Sequence, residues 1–268
     1  VLSQTFQNFE VILIDDGSSE DIGSALKNLD PRVKYYQQEN RGPAAARNNG
    51  IALATGEYLV FLDSDDVLVP TALASLHKRL TADPRVSIVH GWTTVIDETG
   101  PARKAYRPRL AGMVFRRYLY SNPTPLNSLM FRRQCFQGNN FFDPSLSCLE
   151  DWDLLLRLSA QYDFGYVAQE VGRVYIQERS RTLQSRISDI TEAVSSVYAK
   201  LGGDKSMCHG LLGMKKRFSA NRYVWCGDQY RLYAKDTGAA RKEYLKAIKT
   251  SPGFVPAYKG LLKLLLRR

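Results

Sequence analysis

Residues 9–14 form a short apolar, β-branched run that stops at Asp15-Asp16-Gly17-Ser18-Ser19, a pattern that predicts a strand followed by a turn. Asp21, Ile22, Ala25, Leu26 and Leu29 then fall at helical spacing. Residues 33–36 predict a second strand. Residues 43–54 predict an Ala-rich helix with Pro43 in its first turn and Gly56 just past its end. The apolar run at 58–62 is continuous rather than alternating, as in a strand covered on both faces, and it ends in Asp63-Ser64-Asp65-Asp66. A helix over 70–80, a strand over 86–90 and a turn over 97–100 follow. Glu150-Asp151-Trp152-Asp153 opens a helical pattern that continues through Leu158, with its acids where a helix dipole favours them. Capping accounts for one of these acids but not for all three. Strands alternating with helices at this spacing predict an α/β fold with a mainly parallel sheet flanked by helices. Two acidic clusters thereby fall just past the C-terminal ends of strands, where open α/β sheets bind their ligands.

The pattern changes toward the C-terminus. Ala240, Tyr244, Ala247 and Pro252 have the spacing of the second helix of a tetratricopeptide unit. Tyr258, Leu261, Leu262 and Leu265 share one helical face, and Lys259, Lys263 and Arg267 another. Such a helix either packs on the preceding repeat or lies on a membrane surface. The predicted division is therefore an α/β domain over 1–182 and a basic helical extension over 183–268, tetratricopeptide-like near 224–268.

Charge sharpens that division. The 268-residue chain carries a formal net charge of +10. From residue 200 onward there are 16 Lys and Arg against 4 Asp and Glu, whereas residues 1–199 hold 21 against 23. The basic tail is either a solvated helical face or a surface that meets an anionic partner. A membrane leaflet is the expected partner and nucleic acid is not. A composition of 44% hydrophobic and 24% charged residues excludes disordered, collagen-like and coiled-coil classes. No apolar run approaches the ~20 residues that cross a bilayer, and no signal peptide opens the chain. Cys135, Cys148, Cys208 and Cys226 are widely spaced and the three histidines are scattered, so zinc and a disulfide framework are not expected. Reduced thiols in a cytoplasmic protein, peripheral to the membrane at most, are the expectation.

Three acidic groups call for a shared explanation: Asp15/Asp16, Asp63/Asp65/Asp66 and Glu150/Asp151/Asp153. Gathered carboxylates repel one another, so a fold that gathers them supplies a cation or uses their altered pKa values. Oxygen-only ligands suit Mg²⁺ or Mn²⁺, and an Asp-x-Asp leaves coordination positions open for phosphate oxygens. By itself an Asp-x-Asp is equally a turn. Residues 99–142 contain no Asp or Glu but eight Lys and Arg, including Arg132 and Arg133. That stretch either covers an anionic ligand or is a solvated loop.

The ordered segments Gln4-Thr5-Phe6, Glu10 through Ser18, Asn40 through Asn48, Gly56-Glu57-Tyr58, Phe61 through Asp66, and Glu150 through Asp153 resemble the family-two GT-A glycosyltransferases. The resemblance covers roughly residues 1–180. It implies a GT-A, Rossmann-like fold, with a strand and part of a helix preceding Val1. It also implies transfer from a nucleotide-sugar, with a bias toward UDP. Asp16 would then contact the nucleotide base and Arg47 would face the nucleotide. Asp63 and Asp65 would hold the ribose and the metal diphosphate, with Asp66 as an additional metal ligand and Asp151 as the catalytic base. The sequence departs from the family in two places. Tyr175-Ile176-Gln177-Glu178 stands where relatives carry Arg-x-His, leaving Arg179 or Arg181 as substitutes. Asn139-Asn140-Phe141-Phe142-Asp143 replaces Gly-Gly-Phe-Asp.

The chemistry agrees with that assignment. A nucleoside diphosphate leaves when its developing charge is neutralised, and an acceptor hydroxyl attacks when a carboxylate takes its proton. One base with no nucleophile opposite it implies single displacement with inversion. The expected acceptor is a glycan, a lipid-linked glycan or a protein hydroxyl. The rival reading is a non-catalytic nucleotide-binding or scaffold protein whose tetratricopeptide-like tail does the work. A phospho-acceptor pocket at Asp15/Asp16 fits poorly, because the sequence offers no late Lys after a strand.

Overall fold

The computed structural model describes residues 1–25, 30–97, 102–176, 187–203 and 215–266. They form two compact units: Val1–Ser145 with Glu150–Ser180, and Leu146–Leu149 with Arg181–Arg268.

In the first unit β1 (Val11–Asp15) pairs in parallel with β2 (Val33–Gln37), with α1 (Ile22–Ala25) between them in sequence and α2 (Gly42–Leu53) after them. A six-stranded sheet follows. Its path is β3 (Tyr58–Val60), β7 (Leu129–Arg132), β5 (Val86–Asp97), β8 (Asp163–Ile176) and β4 (Val67–Leu68), and β6 (Ala102–Tyr106) pairs with the far half of β5. The helices of this unit include α3 (Ala72–Thr81), α4 (Phe115–Tyr118) and α5 (Glu150–Ser159). The α/β layering is as predicted, but the pairing is mixed rather than mainly parallel. β1/β2 and β5/β8 are parallel, whereas β3/β7, β5/β7, β5/β6 and β4/β8 are antiparallel. Antiparallel partners need no helical crossover, so β4, β6 and β7 leave no β–α alternation in the sequence.

The core sits where α3 lies on the sheet. Leu73, Leu76 and Leu80 recur at helical spacing and pack against Val86 and Val89 of β5, Met130 of β7 and Val171 of β8. Burying each such leucine stabilises the unit by about 1.5–3 kcal/mol. Gly91 admits Val171 closely: a Cβ at Gly91 would lie 2.4 Å from Cγ1 of Val171. Val1–Glu10 carry a turn rather than the end of a helix, with one Gln4 N–H to Val1 carbonyl bond. Buried Gln4 then ties this segment to α3, its amide donating to the Val69 carbonyl (2.8 Å) and accepting from Leu73 N–H (3.0 Å). One of the orphan donors of the helix N-terminus is satisfied this way.

The second unit contains α6 (Ile187–Gly203), α7 (Lys215–Gln229), α8 (Thr237–Thr250) and α9 (Val255–Leu265). A π-helical turn, Tyr230–Ala234, extends α7, and Asp236 caps α8 by accepting from Ala239 N–H at 2.8 Å. Tyr244 of α8 is fully buried. A Cβ at Gly227 of α7 or Gly260 of α9 would come within 2.6 Å or 2.4 Å of its ring. These glycines let three helices close around one aromatic ring. The apolar stripe read from α9 is therefore not its packing face. Ala257 and Gly260 are buried, while Tyr258, Leu262 and Leu265 are exposed beside exposed Lys259 and Lys263. No described helix is long and apolar enough to cross a membrane.

Candidate active site

The turn after β1 separates its two aspartates. Asp15 is buried and accepts from Ser18 N–H (2.8 Å) and the Tyr35 hydroxyl (2.6 Å), and these bonds hold its carboxyl below the usual range. Asp15 is a structural group. Gly17 is required here, because its φ is +80° and a Cβ would stand 2.9 Å from the Asn40 backbone nitrogen. Asp16 points the other way. Its Oδ1 accepts from Gln38 Nε2 (2.7 Å) and Arg41 N–H (2.8 Å), at the entry to α2.

From α2, Arg47 reaches two acids that are distant in sequence. Its Nη2 donates to Asp63 Oδ1 and its Nη1 to Glu150 Oε1, both at 2.7 Å. Arg47 also lies over the Phe142 ring, 5.4 Å from its centroid. The next residue fixes that ring: Asn48 donates to the Phe142 carbonyl (2.8 Å) and accepts from its N–H (3.0 Å). Asp63, Ser64 and Asp65 form an exposed turn closed by Asp66 N–H to the Asp63 carbonyl (3.0 Å). Asp66 turns inward to accept from Asn127 Nδ2 (2.8 Å). Burial, with Asp63 and Asp65 nearby, pushes its carboxyl up to about 7.

Leu149, at φ +63°, is in the left-handed region and turns the chain into α5. Glu150 is buried on Arg47. Asp151 is half-buried, its Oδ1 accepting from Trp152 N–H (2.7 Å) and its Oδ2 from Asn122 Nδ2 (2.9 Å). Burial pushes the Asp151 carboxyl up to about 6, with help from Glu150 and Asp63 and against the pull of Arg47. Asp153 departs from this group. It binds Arg157 through two bonds of 2.8 and 3.0 Å, and Arg157 in turn holds the Asn139 and Phe141 carbonyls at 2.7 and 2.6 Å.

The structure thus joins Arg47, Asp63, Glu150 and Asp151, places Asp65 and Asp66 on the turn adjoining Asp63, and leaves Asp16 in its own hydrogen-bonded corner. Among the described residues no three His, Cys, Asp or Glu side chains converge closely enough to hold a metal by themselves. The donor set suits an ion held by one or two carboxylates plus phosphate oxygens, the manner of Mg²⁺ and similar hard cations. Arg132 and Arg133 are not anion ligands. Arg132 donates to the Val86 and Leu80 carbonyls (2.9 and 2.8 Å), and Arg133 to those of Gly56 (2.8 Å) and Ala54. Arg179 and Arg181 lie outside the described residues. Sequence reasoning missed Asn48, Asn122 and Asn127. Asn48 lay inside a recognised motif, whereas the other two carried no local signal.

The sequence model described as "Glycosyl transferase family 2" matches residues 1–146. An uncharacterized glycosyltransferase of Rickettsia bellii is 33% identical over 188 residues, which are 69% of this chain and 27% of that protein. GalNAc(5)-diNAcBac-PP-undecaprenol beta-1,3-glucosyltransferase of Campylobacter jejuni is 40% identical over 84 residues, 30% of this chain and 27% of that protein. The chain thus spans about a quarter of the length of these two relatives. Among solved structures, S. aureus TarS 1–349 superposes with a TM-score of 0.65 at 16% identity, covering 98% of this chain and 82% of that one. Its complex with UDP gives 0.64 at 14% identity and the same coverage. That likeness shows the GT-A fold.

Proposed function

The chain belongs to glycosyl transferase family 2, and on that premise we propose that it moves a sugar from a nucleotide-sugar, a UDP-sugar first among candidates, to a hydroxyl acceptor with inversion. The observation that carries this reading is the Arg47 bridge, which ties Asp63 of the Asp-x-Asp turn to Glu150, the neighbour of Asp151. Asp63 is thereby linked through one guanidinium to the residue beside the candidate base. Asp151, with its carboxyl near 6, is mostly ionised above pH 7 yet basic enough to accept a proton from an attacking hydroxyl. Asp16 is assigned to the nucleotide base and Arg47 to the nucleotide. Asp63 and Asp65 take the ribose and diphosphate region, with Asp66 as an additional ligand. A Mn²⁺ or Mg²⁺ bound there with the diphosphate would neutralise charge on the leaving group. Burial pushes Asp66 up to about 7, and the further push from Asp63 and Asp65 supports a cation at this turn.

The acceptor assigned is a glycan or lipid-linked glycan. For the basic extension we infer peripheral contact with an anionic membrane, supported by exposed Tyr258, Leu262 and Leu265 beside Lys259 and Lys263 of α9.

Calorimetric titration of UDP with and without Mn²⁺ tests the donor site. Micromolar binding that needs the metal and is lost in Asp65→Ala is the expected result. No binding of UDP, GDP or dTDP would shift the reading to a scaffold protein.

A further inference from the structure

Asn122 follows α4 and reaches Asp151 across 29 residues of sequence. Its amide cannot be turned around. Asn122 Oδ1 accepts from Thr124 N–H at 3.3 Å, which commits Nδ2 to donate to Asp151 Oδ2 at 2.9 Å. The surroundings lock this orientation. The Tyr118 and Thr124 hydroxyls are 2.6 Å apart and both residues are buried. The Trp152 indole N–H donates to the Tyr118 carbonyl at 2.7 Å. A ring of contacts thus runs from Asp151 through Asn122, Thr124, Tyr118 and Trp152 back to Asp151.

We propose that Asn122 is a positioning residue: an obligate donor that aims the Asp151 carboxylate for proton uptake from the acceptor hydroxyl. The proposal rests on Asp151 as the base. With Trp152 N–H on Oδ1 and Asn122 on Oδ2, each carboxylate oxygen is fixed by one donor and keeps a lone pair for the incoming proton. In the step so arranged, the acceptor O–H bond breaks and its proton passes to Asp151. The acceptor oxygen bonds the anomeric carbon as the bond to the diphosphate breaks, and that electron pair leaves with the diphosphate. The charged and titratable groups facing Asp151 are Glu150, Arg47, Asp63 and Tyr118. Of these, Arg47 supplies the positive charge and is already divided between two carboxylates. The neutral amide adds a donor without disturbing that pair.

The test uses the full chain carrying ¹³C-labelled aspartate, with the Asp151 carboxyl resonance assigned from its loss in Asp151→Asn. The carboxyl is titrated in the wild type, Asn122→Ala and Asn122→Asp. UDP release from UDP-glucose and UDP-N-acetylglucosamine with Mn²⁺ is measured in parallel. Asn122→Asp still accepts from Thr124 N–H, so it keeps the turn but sets a carboxylate against a carboxylate. Its titration should move upward by about one unit or more. Asn122→Ala should move less, and UDP release in it should fall about 10- to 100-fold at unchanged UDP affinity. If Asn122→Asp titrates and turns over like the wild type, Asn122 only caps a turn and the proposal fails. If Asp151→Asn releases UDP at the wild-type rate, the base assignment itself fails, whatever the Asn122 variants do.

Discussion

Arg231 in the helical unit and Arg47 in the α/β unit are both guanidiniums set against carboxylates, and their surroundings differ in balance. Arg231 donates to Asp228 Oδ1 at 2.8 Å through Nη2, and the Tyr244 hydroxyl donates to the same oxygen at 2.9 Å. One carboxylate there meets a guanidinium and a phenol, all from α7, its π-helical turn and α8. Around Arg47 the carboxylates outnumber the cation that bridges them, and Asp66 and Asp151 are both pushed up, chiefly by burial and further by their acidic neighbours. A closed account of charge marks a structural cluster, whereas a surplus of one sign marks a site built to receive something.

The largest expected effect separates the two clusters directly. Glu150→Gln and Asp228→Asn each weaken a charge-assisted bond, and each should cost about 1.5–3 kcal/mol in urea unfolding. Glu150→Gln should also reduce UDP release, and Asp228→Asn should leave it unchanged. Equal losses of turnover in the two variants would dissolve the distinction.

A smaller effect is expected from pH. Asp66 at about 7 and Asp151 at about 6 lie above the ordinary value of 3.8, so the folded chain binds more protons than the unfolded chain between about pH 4 and 7. Stability from these groups is therefore full below pH 4 and is lost as pH rises through 6 and 7. Glu10 runs the other way. Burial raises its pKa, but bonds from Lys34, Thr55 and Gly56 outweigh this and hold it at about 2, so its contribution is present above 4.5 and lost toward pH 2. Scanning calorimetry should show the α/β unit melting highest near pH 4 and lower by pH 8, with the alkaline decline flattened in Asp66→Asn. An unchanged decline in that variant would place the charge surplus elsewhere.

The smallest expected effect concerns α9. Vesicles containing anionic lipid should retain the chain weakly at low salt and release it as salt rises, with Leu262→Ser reducing retention. Retention that ignores salt, or none at low salt, would leave α9 without this membrane role.

Much of this architecture was legible in the sequence because it is local. Strand runs ending in acids gave β1 and β3, and a 3.6-residue period gave α3 and α5. β8 was not legible despite its 14 residues, because Gly165 and Gly172 interrupt its apolar pattern to make room for neighbours: a Cβ at Gly172 would stand 3.2 Å from Asn127 Oδ1. The acids of the site announced themselves by clustering. The amides that hold them did not, since Asn122 and Asn127 meet their carboxylates only after chain segments 29 and 61 residues apart are brought together. Asp153 and Arg133 were read by their charge, but Asp153 pairs with Arg157 one turn along α5 and Arg133 with the Gly56 carbonyl 77 residues away, and both do structural work.

The Arg47 bridge also sets an order in time. Its contact with Asp63 closes a span of 16 residues, and its contact with Glu150 a span of 103. Chain-closure entropy makes the second contact costlier by about 1.6 kcal/mol before any other interaction helps. Contacts of such long range form late in folding. A nascent or refolding chain can therefore close the Arg47–Asp63 contact while the Arg47–Glu150 contact is still to be made.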